Sequence, residues 1–360
     1  MNYKYWFASV VELSGAKKCE IINSGYSPEE IYHMNEKELL MFCSFFEIEM
    51  DVFTNARTKE AYLYDDMELK NKNISFVTIR DAGYPEKLKR IQNPPYALFY
   101  KGKLPKNQVM AAIVGARKCS EYGRITAEKI GRALAENQVP VLSGLALGID
   151  SAGHWGALKG GGKTFAVLGC GPDVCYPKSA GNLYQNILAS DGGMISEYLP
   201  GMHPLPAFFP ARNRIISGLA DIVIVVEARK RSGSLITADF ALEQGKEIFA
   251  VPGRCCDPES EGTNRLIYQG AGILYDLDLF LEDCNLKLEK SMNIQKHPQL
   301  GLEKEEQLLY SCLDLEPKFL DIIIEETGLS MVQVLNLLYR LQKKGLVREC
   351  YKNYFSRRSY

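Results

Sequence analysis

Residues Ile222, Val223, Ile224, Val225 and Val226 form an unbroken apolar, β-branched run that opens after Asp221. A strand with one face in water alternates apolar and polar residues, whereas a strand covered on both faces does not, so this run belongs inside a sheet sandwiched between helices. Shorter runs of the same kind recur at 111–114, 139–142, 165–168, 194–196 and 248–251, each separated from the next by a segment of helical character. Regular alternation of strand and helix predicts a parallel, doubly wound sheet with every strand-end loop on one edge. That edge is where open α/β sheets hold their ligands.

The loops expected there are rich in glycine and base. They are Gly115-Ala116-Arg117-Lys118, Ser143-Gly144, Gly169-Cys170-Gly171 leading to Tyr176-Pro177-Lys178, Glu197, the stretch 229–233 and Pro252-Gly253. Glycine lets a ligand approach the backbone, and the free amides of a following helix N-terminus favour phosphate. Tight strand-to-helix turns call for glycine in any case, but they do not call for Arg117, Lys178, Arg212, Arg214 and Arg229 at one edge. Arg212 and Arg214 flank Asn213 at the head of a predicted helix, 215–219. Phe208, Phe209, Tyr176 and Tyr198 are candidates either for stacking on bases or for the core.

Other chemistry finds little support. Net charge is -1, so a polyanion would have to be held by a local basic patch. The ten cysteines are scattered without a CxxC pair and only four histidines accompany them, so no metal site is expected and the thiols read as reduced and cytosolic. There is no signal-peptide pattern and no apolar run of membrane-spanning length, which predicts a soluble cytoplasmic protein without a membrane partner. Gly160-Gly161-Gly162-Lys163-Thr164 resembles the end of a phosphate-binding P-loop, but Ala157 stands where its first glycine belongs and the order is helix then strand. Val174 stands where a dinucleotide fingerprint after Gly169 and Gly171 wants its third glycine, so no cofactor is expected. Asp150 and His154 share a helix face with Ser151 nearby, but a histidine that orients a loop explains them better than catalysis does. Glu197 and Asp239 belong to no motif that pairs them and read as structural.

At 360 residues the chain exceeds one ordinary core. Residues 1–75 read as a small helical module, with Ser27-Pro28-Glu29-Glu30 as a capped helix start and the polar stretch 65–75 as a connector. The core spans 76–283, entered through a short strand at 97–100, and the α/β pattern stops past Asp276. A polar linker, 284–302, leads to 303–360, where helices at 303–313, 317–327 and 330–344 precede strand character at 346–355. Three helices and a β wing suggest a winged helix whose third helix exposes Gln333, Asn336, Arg340 and Lys343, followed by Arg348, Lys352, Arg357 and Arg358. Such a unit serves duplex DNA contact and protein docking equally well.

The segments IVGARKCSEYG, SGLALGIDSAGHWGAL, VLGCGPDVCYP, ISEY, FPARNRIISGLAD, VVEARKRSGSLITADFALEQGKEIFAVPG and EGTNRLIYQGAG, in this order, closely resemble the DprA/Smf family of DNA-processing proteins. The lead-in YPEKLKRIQNPPYALFYKG resembles that family as well, and the likeness is dense over residues 80–275. It implies an extended Rossmann-like, mostly parallel doubly wound sheet with a small helical domain of the SAM or HhH kind before it and a winged-helix-like domain after it. It further implies a non-enzymatic, single-stranded DNA-binding recombination mediator, a homodimer through its core, that protects DNA and loads the recombinase RecA in natural transformation. Carried onto this sequence, the phosphate-contacting positions are Gly115, Arg117, Ser143, Gly144, Lys178, Arg212, Asn213, Arg214, Ser232, Gly233 and Ser234, with no catalytic and no metal residues. The GGGKT loop departs from the family, which more often has a single glycine before the threonine. The competing reading is a nucleotide-binding phosphoribohydrolase-like enzyme on a related fold, but SGSLITAD stands where its PGGxGTxxE loop would be. A duplex-binding transcription factor driven by the winged helix is a third.

Overall fold

The structure, a computed structural model, describes residues 2–58, 66–287, 302–314 and 317–357. The chain divides into two compact units, Met1–Leu288 and Glu289–Tyr360.

The first unit begins with short helices α1 (Tyr3–Ser9), α2 (Gly15–Asn23), α3 (Pro28–His33), α4 (Glu36–Phe45), α5 (Met50–Thr58) and α6 (Asp66–Asn71). Ser27 and Glu30 close a capping box on α3, as its sequence predicts. The helices bury Trp6, Phe7, Phe42, Phe46 and Phe53 together with Tyr96 and Ala97 from the lead-in to the sheet, so helical module and sheet share one core. The predicted connector 65–75 instead contains α6 and the start of a strand. Leu69 and Ile74 explain it, since both are buried with Tyr5 and Phe99. Residues 59–65 lie outside the described ones.

The sheet comprises β1 (Ser75–Thr78), β2 (Ala97–Gly102), β3 (Ala111–Val114), β4 (Val141–Ser143), β5 (Thr164–Val167), β6 (Gly193–Ser196), β7 (Ile222–Val225), β8 (Glu247–Ala250) and β9 (Gly272–Ile273). Their spatial order is β1-β2-β6-β5-β4-β3-β7-β8-β9. Strands β3 to β9 are parallel, while β1 and β2 add an antiparallel edge. The helices are α7 (Glu121–Glu136), α8 (Ile149–Lys159), α9 (Gly181–Ala189), α10 (Phe208–Leu219), α11 (Gly233–Glu243), α12 (Glu261–Tyr268) and α13 (Leu277–Asp283).

The run at 222–226 is covered on both faces. Val223 and Val225 pack with Ile215, Ile216 and Leu219 of α10, and Ile222, Ile224 and Val226 pack with Ile130 and Leu134 of α7. From β3 the chain winds outward one way through β4, β5 and β6, then returns to the other side of β3 as β7 and continues through β8 and β9. The gap between the ends of β3 and β7 is therefore the topological switch point, where the following loops diverge and leave a crevice.

Two further expectations need correction. Helix α10 starts at Phe208 rather than at 215, so Arg212, Asn213 and Arg214 lie inside it. Pro210 does not prevent this, because an amide in the first helical turn has no partner within the helix. The α/β pattern also continues past Asp276 through α13, which buries Phe280 and Leu281. The loop that resembles a P-loop runs from helix to strand as its sequence predicts, with Gly160 capping α8 before β5.

The second unit contains α14 (Lys304–Cys312), β10 (Lys318–Phe319), α15 (Leu320–Thr327), α16 (Met331–Lys343), β11 (Val347–Tyr351) and β12 (Tyr354–Arg357). The strands form an antiparallel sheet of order β10-β12-β11. Ser330 and Gln333 close a capping box on α16, whose Leu337, Leu338 and Leu341 face the core while Gln333, Asn336, Arg340 and Lys343 are exposed. Of the expected linker, residues 288–301 lie outside the described ones, as does Arg358. Among the described residues no single helix is long and apolar enough to cross a membrane, and no group of His, Cys, Asp or Glu is arranged to hold a metal ion.

Candidate nucleic-acid interface

At the switch point the loops after β3 and β7 face each other across a cavity of about 600 Å³. Gly115, Ala116, Arg117 and Lys118 line one wall, and Arg231, Ser232, Gly233 and Ser234 line the other. The first loop is held by the end of β7. A side chain at Gly115 would lie 2.6 Å from Ile149 and 2.9 Å from the Glu227 carbonyl, which accepts a hydrogen bond from the Ala116 amide at 2.8 Å. The Glu227 carboxylate in turn accepts from the Ser120 amide at 2.9 Å and from the Ser120 hydroxyl, at the N-terminus of α7. Burial pushes the Glu227 pKa up, and these bonds to Ser120 pull the other way.

The arginines near this edge fall into two kinds. Arg212, 5% exposed, reaches under the cavity floor and donates to the carbonyls of Gly144 and Val167, just after β4 and at the end of β5. A side chain at Gly144 would lie 2.1 Å from its guanidinium and would have to displace it. Arg214 is turned away from the cavity. Its guanidinium binds both oxygens of Glu197, at 2.8 and 2.7 Å, and the carbonyls of Asn93 and Ala211, both at 2.8 Å. Arg117, Arg229 and Arg231 are exposed at the walls. Arg117 lies over the Phe209 ring, 5.2 Å from its centroid, and Phe209 packs on the half-exposed Tyr176 at 5.5 Å. Arg229 pairs with Glu259.

Of the predicted site residues, Gly115, Arg117, Arg212, Asn213, Ser232, Gly233 and Ser234 come together at the cavity. Asn213 positions the far wall by donating to the Gly233 carbonyl at 3.1 Å. Ser232 caps α11, and no atom crowds the outer face of Gly233, so the first turn of this helix is open to an anion. Ser143 does not reach the cavity: it is fully buried and donates to the Ile113 carbonyl at 2.6 Å. Gly144, Lys178 and Arg214 are also absent from the lining. Lys118 and Arg231, left out of the predicted set, belong to it, and their signal was their place in the basic loops after β3 and β7.

The remaining candidates are internal. Asp150 accepts from the Gly144 amide at 3.1 Å, and burial pushes its pKa up against the opposing effect of the nearby Arg212. His154 hydrogen-bonds Thr164 at 2.6 Å, and burial, reinforced by Arg212, holds its pKa near 3, so the ring is neutral. Ser151 donates to the Ala146 carbonyl at 2.6 Å. The Asp150 and Ser151 bonds build the loop after β4, whereas His154, expected to orient that loop, is tied instead to the first residue of β5, whose buried hydroxyl donates to the Val141 carbonyl at 2.8 Å.

A doubly wound sheet with an arginine-walled, glycine-lined crevice at its switch point defines a Rossmann-like α/β protein suited to anions. A family model described as DNA recombination-mediator protein A matches residues 75–285, and the chain belongs to that family. It is 46% identical over 217 residues to the DNA processing protein DprA of Streptococcus pneumoniae, covering 58% of this chain and 75% of that one. It is 36% identical over 287 residues to Protein Smf of Escherichia coli, covering 78% and 76%. The X-ray structure of the S. pneumoniae protein superposes with a TM-score of 0.66 at 36% identity, covering 79% of this chain and 98% of that one. The DNA processing protein A of Helicobacter pylori, whose structure is described for its single-stranded DNA binding mode, superposes with a TM-score of 0.51 at 27% identity, covering 59% and 97%.

Proposed function

We propose that the protein is a single-stranded DNA-binding recombination mediator that protects DNA in natural transformation and loads RecA onto it, acting by binding rather than catalysis. The observation that carries this reading is the crevice itself, where the exposed Arg117, Arg229 and Arg231, the open first turn of α11 and the Tyr176–Phe209 rings surround one cavity. A single strand offers flexible phosphates to cations and amides, and unpaired bases to aromatic faces. Family membership and the description of the H. pylori structure support the same reading. Arg117, Arg212, Asn213, Ser232, Gly233 and Ser234, joined by Lys118 and Arg231, are the proposed phosphate groove. Its partners, DNA and recombinase, put the protein in the cytoplasm.

Fluorescence anisotropy with single-stranded and duplex oligonucleotides of one length tests the reading. Preference for the single strand, falling steeply with salt, is expected; equal or greater affinity for duplex would remove it.

A homodimer through the core belongs to the same proposal. Strand β9 ends the sheet, and Tyr268, Ile273 and Tyr275 beside it are exposed, an apolar edge that a second copy would cover. Light scattering tests this, with Tyr275→Glu expected to give monomer. The second unit is proposed as a winged helix. The exposed Val332, Leu335 and Tyr339 on α16 favour protein docking there over contact with a phosphate backbone.

A further inference from the structure

Of the ten cysteines, all among the described residues, eight are buried or half-buried and only Cys255 and Cys256 are exposed. They are neighbours in the chain, in the loop between β8 and α12. The Asp257 amide donates to the Arg254 carbonyl at 3.0 Å, which makes the two cysteines the central residues of a β-turn. Both flanks of that turn are pinned. On one side the Asn264 side chain accepts from the Gly253 amide at 3.1 Å and donates to the Gly253 carbonyl at 3.0 Å. On the other side the Glu259 carbonyl accepts from the Ala228 amide at 2.7 Å. Two thiols are thus presented to solvent side by side, on a short loop whose ends are fixed.

A trans peptide sets adjacent Cα atoms about 3.8 Å apart, below the roughly 4.4–6.8 Å that a relaxed disulfide spans, so joining Cys255 to Cys256 distorts the turn. A bond closed against such distortion is readily reduced again, which is the behaviour of a reversible site rather than of a structural crosslink. The distortion also has a route to the crevice. The Asp257 carboxylate accepts from the Glu259 amide at 3.1 Å, and Glu259 lines the crevice and pairs with Arg229. Displacing Asp257 loosens that pair and leaves the Arg229 guanidinium to a phosphate.

We propose that Cys255 and Cys256 are a reversible oxidation site whose oxidant is a small-molecule disulfide, and that closing it tightens the hold of the crevice on single-stranded DNA. The second clause rests on the function proposed above. One cysteine thiolate attacks a sulfur of the oxidant and expels a small thiolate; the other then attacks the cysteine sulfur of that mixed disulfide, forming the Cys255–Cys256 bond and expelling the second small thiolate. The two electrons go to the oxidant, and the two thiol protons to the departing thiolates.

The test is to incubate the full-length protein with glutathione disulfide, block the remaining free thiols, cleave with trypsin and weigh the fragments. Cleavage after Arg254 and Arg265 releases 255–265, which holds these two cysteines and no other. That fragment is expected unblocked and lighter by the two thiol hydrogens, and reduced again by dithiothreitol, whereas Cys255→Ser and Cys256→Ser should each carry glutathione on the remaining thiol. A wild-type fragment that stays reduced, keeps glutathione or is joined to a second copy overturns the oxidation site. In anisotropy the oxidised protein should bind the single strand about threefold more tightly than the reduced one, and the variant with both cysteines replaced by serine should not respond to the oxidant. Equal affinity of the two forms overturns the link to Arg229. Failure of both forms to bind the single strand overturns the proposed function instead, and leaves the fragment masses to decide the oxidation site.

Discussion

The arginines of α10 and the arginines of the loops lie at the same sheet edge and do opposite things. Arg212 and Arg214 point inward and satisfy carbonyls and a carboxylate that the folded backbone leaves at its strand ends. Arg117, Arg229 and Arg231 stand in solvent, and among the described residues only Arg229 meets a carboxylate, that of Glu259. A basic motif at a ligand edge therefore contains both frame and grip. The frame is what keeps the grip in place, because Arg212 and Asp150 hold the Gly144 loop and Asn213 holds the Gly233 loop.

The comparison breaks most visibly at Arg214. Arg214→Ala strands the largely buried Glu197, and the expected loss is about 3–5 kcal/mol of unfolding free energy by urea denaturation. A loss under about 1 kcal/mol would return Arg214 to the surface kind.

Next is the neutral His154, also part of the frame. Its pKa near 3 in the fold lies below the usual value of about 6.5, so as pH falls below about 6.5 the unfolded chain takes up a proton that the fold refuses. Stability should drop by about 1.4 kcal/mol per pH unit between pH 6 and 4, and His154→Gln should remove that part of the slope in the same denaturation series.

For the grip, Arg117→Ala should weaken single-strand binding about tenfold, or about 1.4 kcal/mol, while stability stays within about 0.5 kcal/mol. The slope of log affinity against log salt should shrink by about 0.7. The smallest effect belongs to Arg229, already partly neutralised by Glu259. Arg229→Ala should cost about threefold in affinity, and Glu259→Gln should raise affinity by a similar factor. Competition anisotropy separates the two, and equal losses at Arg117 and Arg229 would show that the Glu259 pairing does not matter.

Much of the architecture was legible because it depends on local pattern. The unbroken run at 222–226 announced a strand covered on both faces, and β/α alternation announced the parallel sheet and the edge on which its loops gather. Ser27 and Ser330 announced helix starts that the structure keeps. The short elements were missed. Strand β9 is only two residues long, and α6 is held by Leu69 and Ile74 through contacts with Tyr5 and Phe99, far away in the chain. The start of α10 was misplaced by about two turns, and Pro210 is accommodated because it lies in the first turn of the helix.

Of the candidate groove, the sequence by itself determined which residues reach the ligand edge, since period and chain order suffice to put the ends of β3, β4 and β7 together. It could not determine which way a side chain turns once there. Arg212, Asn213 and Arg214 are neighbours in one motif, yet helical geometry turns each about 100° from the next, so one lies beneath the floor, one props the far wall and one locks Glu197. That division depends on carbonyls and carboxylates supplied by β4, β5 and the loop after β6. Only the tertiary structure brings them within hydrogen-bonding reach, and so only it separates the arginines that build the crevice from those that face its ligand.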